Sequence, residues 1–168
     1  EGWDLDEIAV LYRSNAQSRV IEQSLFRSGI PYKIYGGLRF YERQEIKHAL
    51  AYLRLAVNPD DDNALLRVIN FPPRGIGART VESLQTASTE QGITLWQAAC
   101  NASAKAAKVA AFVRLIEALR NQVGQMPLPE IIVGILKDSG LIEHYRTQKG
   151  DNQDRLDNLD ELVNAAIE

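Results

Sequence analysis

The sequence is poor in the residues that most often carry chemistry. Its 168 residues include one cysteine, two histidines and one methionine. A single Cys100 excludes an internal disulfide framework and any zinc site built from several cysteines. His48 and His144 stand far apart, and neither has a second histidine at ligand spacing, so neither reads as a metal ligand. His48 lies on a helix rich in charge and reads as solvated. No uncharged apolar run is long enough to span a bilayer. No Gly-x-x-x-x-Gly-Lys-Ser/Thr occurs, so the sequence carries no phosphate-binding loop of that type.

Positive charge is also short overall. With 19 Lys+Arg against 22 Asp+Glu the net charge is −3, which argues against nucleic acid as a partner. The distribution removes that inference. The last 19 residues hold one arginine and six carboxylates, so the other 149 carry a net +2. The acidic run Asp151, Asp154, Asp157, Asp160, Glu161 repeats at about helical spacing and reads as a solvated helix face rather than a cation site. Asp60-Asp61-Asp62, beside a helix start, reads as caps and dipole partners.

What is present is organised in two parts. Ile8-Ala9-Val10-Leu11-Tyr12 is a short apolar run of the kind a strand buried on both faces shows. Ser14 or Asn15 caps a helix that should carry Val20, Ile21, Leu25 and Phe26 inward and stop at Gly29. Tyr32-Lys33-Ile34-Tyr35 then reads as a second strand, closed by Gly36-Gly37. Strand, crossover helix and strand imply a parallel pair. Two strands make no stable sheet, so its neighbours are expected from elsewhere in a longer chain. The absence of an initial methionine and the helix-periodic ending also read as a segment of something longer. A helix from about 42 to 57 follows, with Arg43 and Lys47 alternating with Glu42 and Glu45 as an ion-paired, solvated face.

After the break at Asn58-Pro59 no convincing strand remains. Helices are expected near 65–69, 78–88, 93–101 and 102–123, then from 131 to a stop at Gly140, over 141–149, and at the acidic end. The expected fold is therefore mainly α: a partial α/β segment with parallel strands over 1–57, then an all-helical domain over 58–168.

One segment is more specific. In Asn70-Phe71-Pro72-Pro73-Arg74-Gly75-Ile76-Gly77-Ala78-Arg79-Thr80 a helix meets a tight hairpin and a second helix starts at once. Glycines remove side chains from a close approach, and the N–H groups of Gly75, Ile76 and Gly77 at a helix N-terminus suit a phosphate. Ile76 should plug the hairpin into the core, while Arg74 and Arg79 flank the site with charge. The pattern resembles the helix-hairpin-helix of many DNA-handling proteins, and it points to duplex contact without base reading. A structural turn between helices is the alternative.

The wider sequence resembles superfamily 1 DNA helicases of the UvrD/PcrA/Rep type. The resemblance rests on Glu7–Arg19 (EIAVLYRSNAQSR), Ile30–Lys47 (IPYKIYGGLRFYERQEIK), Ala51–Leu55 (AYLRL), Pro73–Gly77 (PRGIG) and Asn158–Leu162 (NLDEL). It spans nearly the whole chain and is weakest over about 100–130. It implies that 1–57 is part of a RecA-like motor domain, 2A, and 58–168 most of a regulatory, duplex-contacting domain, 2B. It implies a parent enzyme that hydrolyses ATP with Mg²⁺ and moves 3′ to 5′ along DNA in the bacterial cytoplasm, associated with the nucleoid. ATP and Mg²⁺ would bind outside this segment. Partners implied are DNA at a single-strand/duplex junction, domains 1A and 1B, the rest of 2A, and DNA-repair proteins; no membrane is implied. Duplex contacts fall to Arg74, Gly75, Ile76, Gly77, Arg79 and Thr80. Single-strand contacts fall to Gly37, Arg39 and Phe40, with Phe40 or Tyr41 placed to stack on a base. The alternatives are a stand-alone helix-hairpin-helix module, or a protein-binding or autoinhibitory helical domain without direct DNA contact.

Overall fold

A computed structural model describes residues 2–35, 37–150 and 152–167. Glu1, Gly36, Asp151 and Glu168 lie outside it, so the Gly36 and Asp151 of the motifs above are not located.

Nine α-helices are described: α1 (Ser18–Arg27), α2 (Gln44–Val57), α3 (Asp62–Val68), α4 (Ala78–Gln91), α5 (Leu95–Ala102), α6 (Ala107–Gln122), α7 (Leu128–Asp138), α8 (Leu141–Thr147) and α9 (Gln153–Ala165). Short 3-10 turns precede α1 and α2. Most boundaries follow local chemistry. Pro59 disfavours helical backbone at Asn58, which is extended and ends α2. The Asp61 side chain accepts the Ala64 N–H at 2.9 Å and starts α3. Thr94 and Gln97 form a reciprocal capping box on α5. Gly92 and Gly140 take left-handed backbone, after α4 and before α8. The helix expected over 102–123 starts later, as α6 at Ala107: Ala102 closes α5, the helix expected over 93–101, and 103–106 form the turn between them.

The two expected strands are absent among the described residues: 8–12 and 32–35 carry no ladder pairing. The physical reason is the one that made them doubtful alone. A strand buried on both faces needs neighbours to satisfy its backbone and cover its side chains. Here Leu11 is 94% exposed, Tyr35 87%, and Ile8 and Val10 are exposed as well. Likewise α1 does not turn Val20 and Phe26 inward; both are exposed, and its buried residues are Ser18 and Arg19.

The apolar core begins at Phe40 and runs without interruption to Leu162. Its centre is α2, which buries Ile46, Ala49, Ala51, Tyr52, Leu55 and Ala56 around most of its circumference. Such a helix needs neighbours on several sides. They are α3, α6, α7 and α9. Packing therefore crosses residue 57 continuously.

Candidate nucleic-acid interface

The hairpin between α3 and α4 is held by one side chain. Asn70 Oδ1 accepts the backbone N–H groups of both Arg74 and Ile76 at 3.0 Å. Ile76 is 1% exposed and anchors the turn among the helices, as the flanking glycines suggest. Gly75 adopts φ +76°, a conformation that an L side chain resists. Gly77 is extended, and its carbonyl accepts from Thr80 and Val81 to begin α4. Among the described residues, the N–H groups of Gly75, Gly77, Ala78 and Arg79 meet no acceptor. They gather at the positive end of a 14-residue helix.

Arg74 corrects the sequence expectation. It does not flank this amide cluster as a free charge. Nη1 donates to the carbonyl of Val68 at 2.7 Å, with longer contacts to Ile69 and Phe71. Nη2 donates to the Tyr52 hydroxyl at 2.7 Å and to the Ser139 carbonyl at 3.2 Å. Tyr52 in turn donates to the Phe71 carbonyl, and the guanidinium lies 5.5 Å from the Phe112 ring centroid. The cause is the C-terminal end of α3, whose orphan carbonyls attract a cation from inside the fold. Ile76 is likewise a plug, and its N–H is taken by Asn70. Arg79 is exposed and Thr80 half-buried.

Lys108 was not singled out from the sequence. It comes from the first turn of α6, and its aliphatic stem lies across Gly75. A Cβ at that glycine would stand 3.0 Å from Lys108 Cε and 3.1 Å from Cδ, and still closer to Nζ. Beside it a shallow groove of about 280 Å³ is lined by Arg74, Ala107, Lys108, Ala111 and Phe112. The ammonium is exposed and has no ion-pair partner among the described residues. No local pattern pairs 75 with 108; the fold alone joins them.

The single-strand candidates divide. Gly37 and Arg39 are exposed, with the Arg39 guanidinium 5.4 Å from the Tyr32 ring centroid. Phe40 is fully buried, so it is not presented to a base. Its ring joins the core and its N–H donates to the Glu22 carboxylate. Tyr41 is the exposed aromatic, set edge-on to Phe40 at 5.0 Å.

His48 is also corrected: it stacks on Phe71, with ring centroids 3.8 Å apart. His144 meets the same ring edge-on. Burial, helped by nearby Arg67, His144 and Arg155, lowers the His48 pKa from 6.5 to about 4. The folded state therefore binds fewer protons than the unfolded chain between these values. Its contribution to stability should be complete above pH 6.5 and should vanish as pH falls toward 4. Thermal melts across that range should show a fall in Tm that His48→Phe reduces; an unaltered pH dependence in that variant would show that His48 is not its source.

Among the described residues no group of three His, Cys, Asp or Glu side chains could hold a metal ion, and no helix is long and apolar enough to cross a membrane.

Comparison with known proteins gives a consistent result. The UvrD-like helicase C-terminal domain family matches residues 1–168. The chain is 48% identical to DNA helicase II of Escherichia coli K12 over 98% of its own length and 24% of the relative. It is 50% identical to DNA helicase II of Haemophilus influenzae, over 99% of the chain and 24% of that protein. To the ATP-dependent DNA helicase PcrA of Bacillus subtilis it is 42% identical, over 95% and 22% respectively. The chain thus spans about a quarter of the length of these relatives.

Proposed function

Because the chain belongs to the UvrD-like helicase C-terminal domain family, we propose that it serves an ATP-dependent, 3′-to-5′ DNA helicase as its duplex-gripping part. ATP and Mg²⁺ would be held outside this chain, at the cleft between the two motor domains. Domains 1A and 1B and the rest of 2A would be its partner domains, and the setting would be the bacterial cytoplasm and nucleoid. Residues before Phe40 would be a motor-domain edge. Their exposed Ile8, Val10, Leu11 and Phe26 suit burial against the remaining motor, and the start of the apolar core at Phe40 favours a 2A–2B junction near 37–43 rather than at 57.

The observation that carries the reading is the amide cluster of Gly75, Gly77, Ala78 and Arg79 at the N-terminus of α4, with Lys108 alongside. Backbone N–H groups, a helix dipole and an adjacent ammonium together suit a backbone phosphate and carry no base information. In this reading Arg79, Thr80 and Lys108 face the duplex. Ile76 plugs the hairpin into the core, and the Arg74 guanidinium faces away from it, tying the end of α3 to Tyr52 and Ser139. On the single-strand side, Gly37 and Arg39 receive the backbone, and Tyr41 replaces Phe40 as the stacking ring.

The test is anisotropy of a labelled duplex titrated with the 168-residue chain over a range of salt. Binding should be sequence-tolerant and salt-sensitive. Lys108→Glu should weaken it several-fold and reduce the salt slope by about one unit. Unchanged affinity and slope in that variant, or no binding at low salt, would overturn the assignment.

A further inference from the structure

The N-terminal segment meets the helical body along a seam unlike the rest of the interior. The apolar core has no member before Phe40. Yet of the six buried polar or charged residues among those described, five lie at this seam: Ser18, Arg19, Arg43, Glu45 and Asn158. The charge alternation that reads as a solvated face at Arg43 and Glu45 is therefore misleading; both are buried.

Arg43, 7% exposed, is the hub. Nη1 donates to the Asn15 carbonyl and to Asn158 Oδ1, each at 2.7 Å. Nη2 donates to Ser18 Oγ at 2.7 Å, and Nε makes a longer contact to the Leu38 carbonyl. Asn158 Nδ2 passes the network on to Glu45 Oε1 at 2.6 Å. Nearby, Arg19 Nε pairs with Glu161 Oε1 at 2.6 Å, and Asn15 Nδ2 donates to Asp154 Oδ2 at 3.0 Å. One guanidinium thus touches the turn before α1, the peptide where the chain enters the helical body, and α9 at that body's far end.

Apolar contact is non-directional and tolerates sliding, whereas charge-assisted hydrogen bonds hold over a narrow range of distance and angle. Groups released from such a seam can be satisfied by water, as apolar groups cannot. We propose that Arg43 is a positioning residue. It staples α9 to the point where the chain enters the helical body and so fixes one orientation of the N-terminal segment. Its release frees that segment and loosens α9, while α3 to α7 stay folded. The inference goes beyond the DNA reading and does not draw on it.

Hydrogen exchange by mass spectrometry on the 168-residue chain tests this without DNA. Arg43→Met should raise exchange over 14–28 and 153–165 by about tenfold or more, the loss of one to two charged hydrogen bonds, and leave α3 to α7 protected. Arg43→Lys should behave like Arg43→Met, because one ammonium cannot span acceptors on three elements. Ser18→Ala, which removes a single acceptor, should raise exchange over 14–28 to a smaller degree. A uniform rise through every helix, unfolding of the whole chain, full protection in Arg43→Lys, or no change in Arg43→Met would each overturn the proposal.

Discussion

Gly77→Asp should abolish most duplex binding while leaving the fold intact or slightly firmer. Gly77 is the N-cap of α4, its backbone is extended at φ −80°, and a Cβ there meets nothing within 4 Å. Aspartate is among the preferred N-cap residues, and its charge complements the helix dipole, so a gain of about 0.5 kcal/mol is expected. The same carboxylate would occupy the amides that a phosphate needs and would repel it. Losing one or two charge-assisted hydrogen bonds amounts to a fall in affinity of roughly tenfold or more. Thermal melts and anisotropy titrations on one sample separate the two effects. If the hairpin were only a turn between helices, the variant would keep its affinity. Gly75→Ala makes a useful contrast. Its φ of +76° and the overlap with Lys108 should lower stability and binding together.

Arg74→Met should behave in the opposite way, lowering stability and sparing DNA. The guanidinium contacts the carbonyls of Val68, Ile69, Phe71 and Ser139 and the Tyr52 hydroxyl. Val68 and Phe71 keep other donors, but its removal leaves the Ile69 and Ser139 carbonyls and the Tyr52 hydroxyl oxygen without one among the described residues. A loss of about 3 kcal/mol is expected, equivalent to a fall in Tm of roughly 6–12 °C for a chain of this size. Measured well below that Tm, duplex affinity should be unchanged. A variant with the parental Tm and lost DNA binding would return Arg74 to the phosphate contact that the sequence suggests. The same logic explains why Arg79, the second residue of α4 and exposed, keeps its place in the proposed interface.

What could be read ahead of the structure was local. Pro59 after Asn58, the Asp61 cap, and the stop at Gly140 each act within a few residues, and helix boundaries follow from them. Ile76 was legible as a plug because a large apolar residue between two glycines has few other roles. The misreadings share a different cause: each depends on a partner distant in sequence. Arg74 turns inward because α3 ends beside it and α7 delivers the Ser139 carbonyl. Arg43 and Glu45 are buried because Asn158 arrives from α9. His48 is covered by Phe71 and bordered by His144. Lys108 joins the hairpin only because α6 packs there. Phe40 and Tyr41 are adjacent aromatics, and nothing local tells which one the core takes. The two strands failed for the converse reason, since the partners they need are not among the described residues.

The most direct test of duplex contact at the hairpin is a titration of the ¹⁵N-labelled chain with a short duplex, followed amide by amide. The signals of Gly75, Gly77, Ala78 and Arg79 should move together and saturably. The Ile76 amide, already bonded to Asn70, should move less, and the signals of α8 should stay in place. Shifts confined to other surfaces, or a hairpin that stays still while the duplex binds, would contradict it.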